Sequence, residues 1–244
     1  LVTWGFRTSG AIFGLLAAGL IGYLISFWPL RSLKRETGEK INPAGISGYF
    51  FSVLLTLLAM NLLFSLDLVL VKHFFPADGA GQYGGLALIG RTIFFLAGPI
   101  AQVLFPMMAR NRSQADESKP IFVQAILLTL LVGGLPLILY SLFPDFVIKL
   151  LIGSKFLDIK GLLGPFGLAM LLYGLINLFV QHFLSLGQKT FLFFLGGGVL
   201  LELILISVWH QSPGQIVAII NLVMFVVLVS LAALCFKHQD IKIA

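Results

Sequence analysis

The stretch Ile216-Val-Ala-Ile-Ile-Asn-Leu-Val-Met-Phe-Val-Val-Leu-Val-Ser-Leu-Ala-Ala-Leu-Cys-Phe236 runs for 21 residues without a charged side chain. As a helix rising ~1.5 Å per residue it is about 32 Å long, enough to cross ~30 Å of hydrocarbon. Lipid offers no hydrogen bonds, so the backbone of such a run must satisfy itself, which a helix does within one segment. Six further apolar runs precede it: Ser9–Leu30, Gly48–Val71, Gly84–Met108, Ile121–Phe143, Leu162–Val180 and Phe191–Trp209. None shows the ten-residue alternation of a transmembrane strand. The whole chain, 244 residues, is 59% hydrophobic and 11% charged, with a mean hydropathy of +1.03. Soluble domains carry about 25% charged residues, and disordered chains lack the 23 phenylalanines found here. The expected fold is all-α, a polytopic transmembrane helix bundle of about seven spans.

Lys and Arg set the expected orientation. Arg31, Lys34, Arg35, Lys40, Arg110, Arg112, Lys119, Lys189, Lys237 and Lys242 fall on one side of the alternating spans, ten in all. Arg7, Lys72, Lys149, Lys155 and Lys160 make five on the other. This places the first basic loop and the C-terminus in the cytoplasm, in a multi-pass protein of the cell inner membrane. Phe146, Val147, Leu150 and Leu151 share a helical face, so Pro144–Leu157 is expected to lie along the interface. The net charge of +6 is thus mostly topological. Nucleic acid is not an expected partner, because no groove-binding motif accompanies the basic residues.

Enzyme signatures are missing from the sequence. His73, His182, His210 and His238 are scattered without metal-ligand spacing, and the single Cys235 allows no cysteine site. Gly196-Gly-Gly198 lies inside an apolar run, where glycines permit close helix approach rather than phosphate binding. No cofactor and no metal are expected.

Three ionisable residues stand inside spans: Asp67, Arg91 and Glu202. Each is unfavourable there by at least ~2.5 kcal/mol and so faces a partner or a cavity. Asp67 and Arg91 are expected at similar depth near one end of adjacent helices, close enough to pair. Such a pair reads either as a clamp between helices or as an anion site in which Asp67 orients Arg91. Gln102 follows Arg91 by 11 residues, about three turns, and is expected on the same face. Between them Gly98-Pro99 is expected to interrupt the helix, with Pro106 beyond, and broken helices often supply movable joints at transport sites. Glu202 is a candidate for ion coupling, or for hydrogen bonding to a neighbouring helix. Asn61, Gln124, Asn177 and Asn221 read as neutral contacts between helices. In the first span Gly10, Gly14, Ala18 and Gly22 form a small-residue stripe suited to a close helix partner.

The stretch Asp67-Leu-Val-Leu-Val-Lys-His-Phe-Phe-Pro-Ala-Asp-Gly-Ala-Gly-Gln-Tyr83, followed by Gly84-Gly-Leu-Ala-Leu-Ile-Gly-Arg91, resembles the polysaccharide-biosynthesis branch of the multidrug/oligosaccharidyl-lipid/polysaccharide exporter superfamily. Leu104-Phe-Pro106 before a basic loop, and Leu186-Gly-Gln-Lys-Thr190 between two later spans, are similar to that branch as well. The resemblance implies two pseudo-symmetric six-helix bundles around a cavity. Residues 1–30 then correspond to the last helix of the first bundle, 31–47 to a basic cytoplasmic linker, 48–236 to the second bundle and 237–244 to a cytoplasmic tail. The first bundle of the same chain would be the missing partner, and the expectation is of a later part of a longer transporter. The implied activity is flipping of an undecaprenyl-diphosphate-linked oligosaccharide by alternating access, with membrane lipids around it. Arg91, Gln102 and Asp67 would bind substrate, Glu202 and Asp67 would couple an ion, and Gly98, Pro99 and Pro106 would be hinges.

Other readings stay open. A drug or cation antiporter of the same superfamily would rely on acidic cavity residues and have less need of Arg91. A membrane glycosyltransferase would need paired outer carboxylates, where Asp78, Asp145 and Asp158 offer no evident pair. A non-transporting membrane subunit is the third.

Overall fold

The structure is a computed structural model that describes residues 7–30, 43–110 and 115–240. Most of the expected linker, 31–42, and the last four residues of the expected tail lie outside the described residues. Helices account for nearly all that is described: α1 (Arg7–Leu30), α2 (Pro43–Phe74), α3 (Ala77–Gly90), α4 (Thr92–Arg110), α5 (Ala115–Leu142), α6 (Pro144–Leu151), α7 (Lys160–Leu186), α8 (Phe191–Val208) and α9 (Pro213–Asp240). A 3-10 segment, Ser154–Ile159, joins α6 to α7. Six stretches are long and apolar enough to span a membrane: Gly48–Phe74, Ala77–Leu104, Pro120–Leu142, Ser154–Leu186, Phe191–Val208 and Pro213–Cys235. The chain is a multi-pass, all-α membrane protein. The first expected span, Ser9–Leu30, is helical, but its described apolar part, Ile12–Ser26, is shorter than a full crossing.

The chain divides into two compact units, Leu1–Gly45 and Ile46–Ala244. The first holds α1, whose Leu15, Leu16, Tyr23 and Ile25 are exposed. The second is built around α7, which packs against α3, α4, α5, α6 and α9, while α8 packs on α9. Lipid is as apolar as leucine, so helices in it associate by close packing, and small residues at the crossings allow that. A Cβ on Gly90 of α3 would lie 2.2 Å from the Phe166 ring of α7. One on Gly133 of α5 would lie 2.7 Å from Leu171, and one on Gly167 of α7 2.9 Å from Ile93. Asn221 adds a polar tie, donating from Nδ2 to the Pro165 carbonyl at 3.0 Å and so joining α9 to α7. Asn61 bonds only within its own helix, to the Leu57 carbonyl.

Two expected boundaries move. The third span begins at Ala77, not Gly84, because Ala-Asp-Gly-Ala-Gly-Gln-Tyr is a packed helix with Ala80 and Tyr83 buried. Its low hydropathy made it resemble a loop; the close helix contacts that glycine permits begin beyond it, at Gly85. The interfacial segment is also shorter, α6 ending at Leu151 before the 3-10 turn. Val147 and Ile148 are its buried residues, while Phe146, Leu150 and Leu151 are exposed, so the four residues expected to act together are split.

At the far end of α7, Gly187 adopts φ +69° and closes the helix in the left-handed conformation. Its N–H donates to the Leu184 carbonyl at 3.0 Å and the next N–H, Gln188, to Phe183 at 3.1 Å, which satisfies carbonyls a helix end leaves open. Gly90→Ala should destabilise the protein by about 1–3 kcal/mol through overpacking against Phe166. Gly84→Ala, whose Cβ meets nothing within 4 Å, should not. Melting temperatures of the two variants in detergent test this contrast.

Candidate functional site

The spacing of Met60, Leu63, Phe64, Asp67 and Val71 follows i, i+3, i+4, i+7 and i+11, so one face of α2 carries them all. All but Phe64 are buried, and Phe64 is half-buried. Asp67 is 2% exposed. Its Oδ1 accepts from Arg91 Nη2 at 2.9 Å, and its Oδ2 accepts from the Tyr83 hydroxyl at 2.9 Å. The same Arg91 nitrogen donates to the Phe64 carbonyl at 2.6 Å, and the guanidinium carbon sits 4.5 Å from the centre of the Phe64 ring. Sequence reasoning paired Asp67 with Arg91, and the structure brings them together. It gave no role to Tyr83, Phe64 or Tyr173. Phe64 lies one turn before Asp67 on α2, a signal the sequence offered; Tyr83 shares a face with Arg91 only once α3 is known to start at Ala77, and for Tyr173 on α7 there was no signal.

Arg91 occupies the junction between α3 and α4. Its backbone stays helical at φ −67° and ψ −15°. Its N–H bonds to the Ala87 carbonyl at 3.1 Å and its carbonyl accepts from Phe95 at 3.1 Å, so the hydrogen bonding carries across the irregularity. The junction is also pinned from α5. The Ile89 carbonyl accepts from the Thr92 hydroxyl at 2.7 Å and from the Tyr140 hydroxyl at 3.2 Å. The helix, by contrast, runs through Gly98, Pro99 and Pro106. The expected interruption at Gly98-Pro99 is absent, since a proline deletes one backbone bond without having to break the helix around it. Irregularity falls instead at the charged residue.

An aromatic cage surrounds the ion pair. Phe64, Phe94 and Tyr173 pack mutually, with centroids 5.3 Å (Phe64–Phe94), 5.2 Å (Phe64–Tyr173) and 4.8 Å (Phe94–Tyr173) apart. The Tyr173 hydroxyl donates to the Met60 carbonyl at 2.9 Å, a second polar tie to α2. Gln102 is exposed and makes no bond to Arg91 or Asp67. The register of α4 thus does not bring it to the cluster.

Glu202 of α8 is 0% exposed, and neither carboxyl oxygen has a hydrogen-bond partner. It lies within electrostatic reach of Asp67 and Arg91. One turn earlier, a Cβ on Gly198 would lie 2.4 Å from Val227 of α9 and 3.6 Å from Leu63 of α2. Gly198 therefore does bring helices close, whereas Gly196 and Gly197 have open space about them. An unaccompanied carboxylate buried without donors is strongly unfavourable, so a proton or another cation must accompany Glu202.

The chemistry available follows from the donor count. A guanidinium has five N–H donors, and Arg91 uses only Nη2. Its Nε is buried without a partner, while the side chain keeps 13% of its surface accessible. Of the guanidinium nitrogens only Nη2 is thus engaged, and the buried Nε is shielded from solvent. Among the described residues no cluster of His, Cys, Asp and Glu could hold a metal. Compared with protein-family models, curated proteins and solved structures, the chain finds no match.

Removing either partner of a buried pair strands the other charge, so Asp67→Ala or Arg91→Ala should each destabilise by about 3–5 kcal/mol. The double variant should lose clearly less than their sum. A double-mutant cycle on thermal or denaturant unfolding in detergent measures this, and additivity would show that the two charges do not interact.

Proposed function

We propose that this protein flips a polyprenyl-diphosphate-linked oligosaccharide across the cytoplasmic membrane by alternating access, for cell-surface polysaccharide synthesis. The observation that carries the proposal is Arg91, a guanidinium inside a span with unspent donors. The order of motifs from Asp67 to Thr190 supports it, through their resemblance to polysaccharide exporters. A sugar–diphosphate headgroup cannot cross hydrocarbon unaided, whereas its polyprenyl tail remains in lipid. Arg91 binds the diphosphate by charge-assisted hydrogen bonds, and Asp67 and Tyr83 hold the guanidinium in place. Glu202 carries the coupling ion. The first, N-terminal bundle that the resemblance implies would complete the cavity, and the C-terminus lies in the cytoplasm. Hinge motion is assigned to the Gly98–Pro106 stretch of α4.

A non-transporting membrane subunit is the second reading. The tight closure of Asp67 on both Arg91 and Tyr83 favours it, because the cluster then serves as a clamp alone.

The test is flipping of a fluorescent polyprenyl-diphosphate disaccharide in proteoliposomes, read by quenching of the outer leaflet. Arg91→Gln should slow flipping at least about tenfold, since hydrogen bonds to charged groups are worth about 1.5–3 kcal/mol. Arg91→Lys should keep part of the rate. A well-folded Arg91→Gln protein that flips at the wild-type rate would sink the proposal and leave the clamp. Glu202→Gln should fold normally, because neither oxygen accepts a bond that the amide would lose, yet its flipping should no longer respond to an imposed ion gradient.

A further inference from the structure

Away from the Arg91 cluster, a cavity of about 510 Å³ opens where α5 ends and α7 begins. Tyr140, Ser141, Pro144, Asp145, Lys160 and Gly161 are among the residues lining it. Both flanking helices belong to candidate membrane spans, one ending at Leu142 and the other beginning at Ser154. The cavity therefore lies at the end of the hydrocarbon, where lipid headgroups begin. Its rim carries one carboxylate and one ammonium: Asp145 Oδ1 and Lys160 Nζ lie 3.6 Å apart, and both side chains are more than half exposed. That distance is long for a charge-assisted hydrogen bond, so the two charges are near one another without being fully used. Beside them Leu142, Phe143 and Phe146 expose apolar side chains. Glycine leaves the floor open, for a Cβ on Gly161 would meet nothing within 4 Å.

We propose that this groove binds the headgroup of a phospholipid bearing a primary ammonium, a phosphatidylethanolamine. Lys160 pairs with the phosphate and Asp145 accepts from the ammonium, so the zwitterion matches the rim charge for charge. The acyl chains lie along Leu142, Phe143 and Phe146. A quaternary ammonium such as that of phosphatidylcholine has no N–H to give Asp145 and is bound less well. An anionic lipid would satisfy Lys160 while facing Asp145 with like charge.

Native mass spectrometry of the detergent-solubilised protein tests this with phosphatidylethanolamine, phosphatidylcholine and phosphatidylglycerol of identical acyl chains. One phosphatidylethanolamine should be retained in preference to phosphatidylcholine by roughly three- to fivefold, the scale of an exposed charge pair. Asp145→Asn should abolish that preference. Gly161→Leu should obstruct the groove and lose the tightly held lipid, while its melting temperature falls no lower than the wild-type value, because a Cβ there meets nothing within 4 Å and glycine is a poor helix former. Equal retention of the two zwitterionic lipids by the wild-type protein would overturn the proposal. So would a preference that survives Asp145→Asn, or tighter binding of phosphatidylglycerol than of either zwitterion.

Discussion

The contact between the Asp67 carboxylate and the Arg91 guanidinium governs how α2 joins the rest of the bundle. In that bundle α3, α4, α5 and α9 pack around α7. Beside its buried Met60, Leu63 and Val71, side-chain bonds join α2 to it: Arg91 to Asp67 and to the Phe64 carbonyl, Tyr83 to Asp67, and Tyr173 to the Met60 carbonyl. A charge left alone in lipid is unfavourable by several kcal/mol, so the pair fixes the register of α2 against α3 and α4. Sliding α2 by one turn would strand both groups. Apolar packing between leucine-rich faces provides no comparable penalty.

The same geometry explains why the clamp does not exhaust the arginine. Asp67 takes one donor on Oδ1 and satisfies its second oxygen with Tyr83, so it needs only Nη2. The phenol thus does for the carboxylate what the other guanidinium nitrogens would otherwise do. It leaves Nη1 without a bond, and the proposed flippase rests on that donor. Glu202 stands differently. It has no phenol and no guanidinium of its own, and its burial makes an accompanying cation a requirement rather than an option.

Much of the fold was legible in the sequence because hydrocarbon imposes a simple rule on length and polarity, and runs such as Ile216–Phe236 obey it. The Asp67–Arg91 pair was legible for a related reason, since two opposite charges at similar depth have few alternatives. What was hidden depends on side-chain direction and close packing. Ala77–Tyr83 reads as a loop by hydropathy, yet its small residues form a helix that delivers Tyr83 to Asp67. Gln102 shares a nominal face with Arg91, but it lies eleven residues further along α4, about 16 Å of helical rise, and it ends up exposed. The prolines at 99 and 106 drew attention as breaks, whereas the irregularity lies at Arg91, where the Phe64 carbonyl of α2 accepts from the guanidinium and the Tyr140 hydroxyl of α5 donates to the Ile89 carbonyl.

Solid-state NMR offers the most direct test of whether Arg91 is an anion site as well as a clamp. The measurement is dephasing of the Arg91 guanidinium ¹⁵N signals by the ³¹P nuclei of a bound polyprenyl diphosphate, in protein reconstituted into lipid that contains no other phosphorus. The account predicts strong dephasing of the Nη1 signal, corresponding to a nitrogen–phosphorus distance of about 3–4 Å for a direct hydrogen bond to a phosphate oxygen. Nη2 should stay on Asp67. Guanidinium signals unaffected by saturating lipid diphosphate would contradict the account and leave Arg91 a structural residue only.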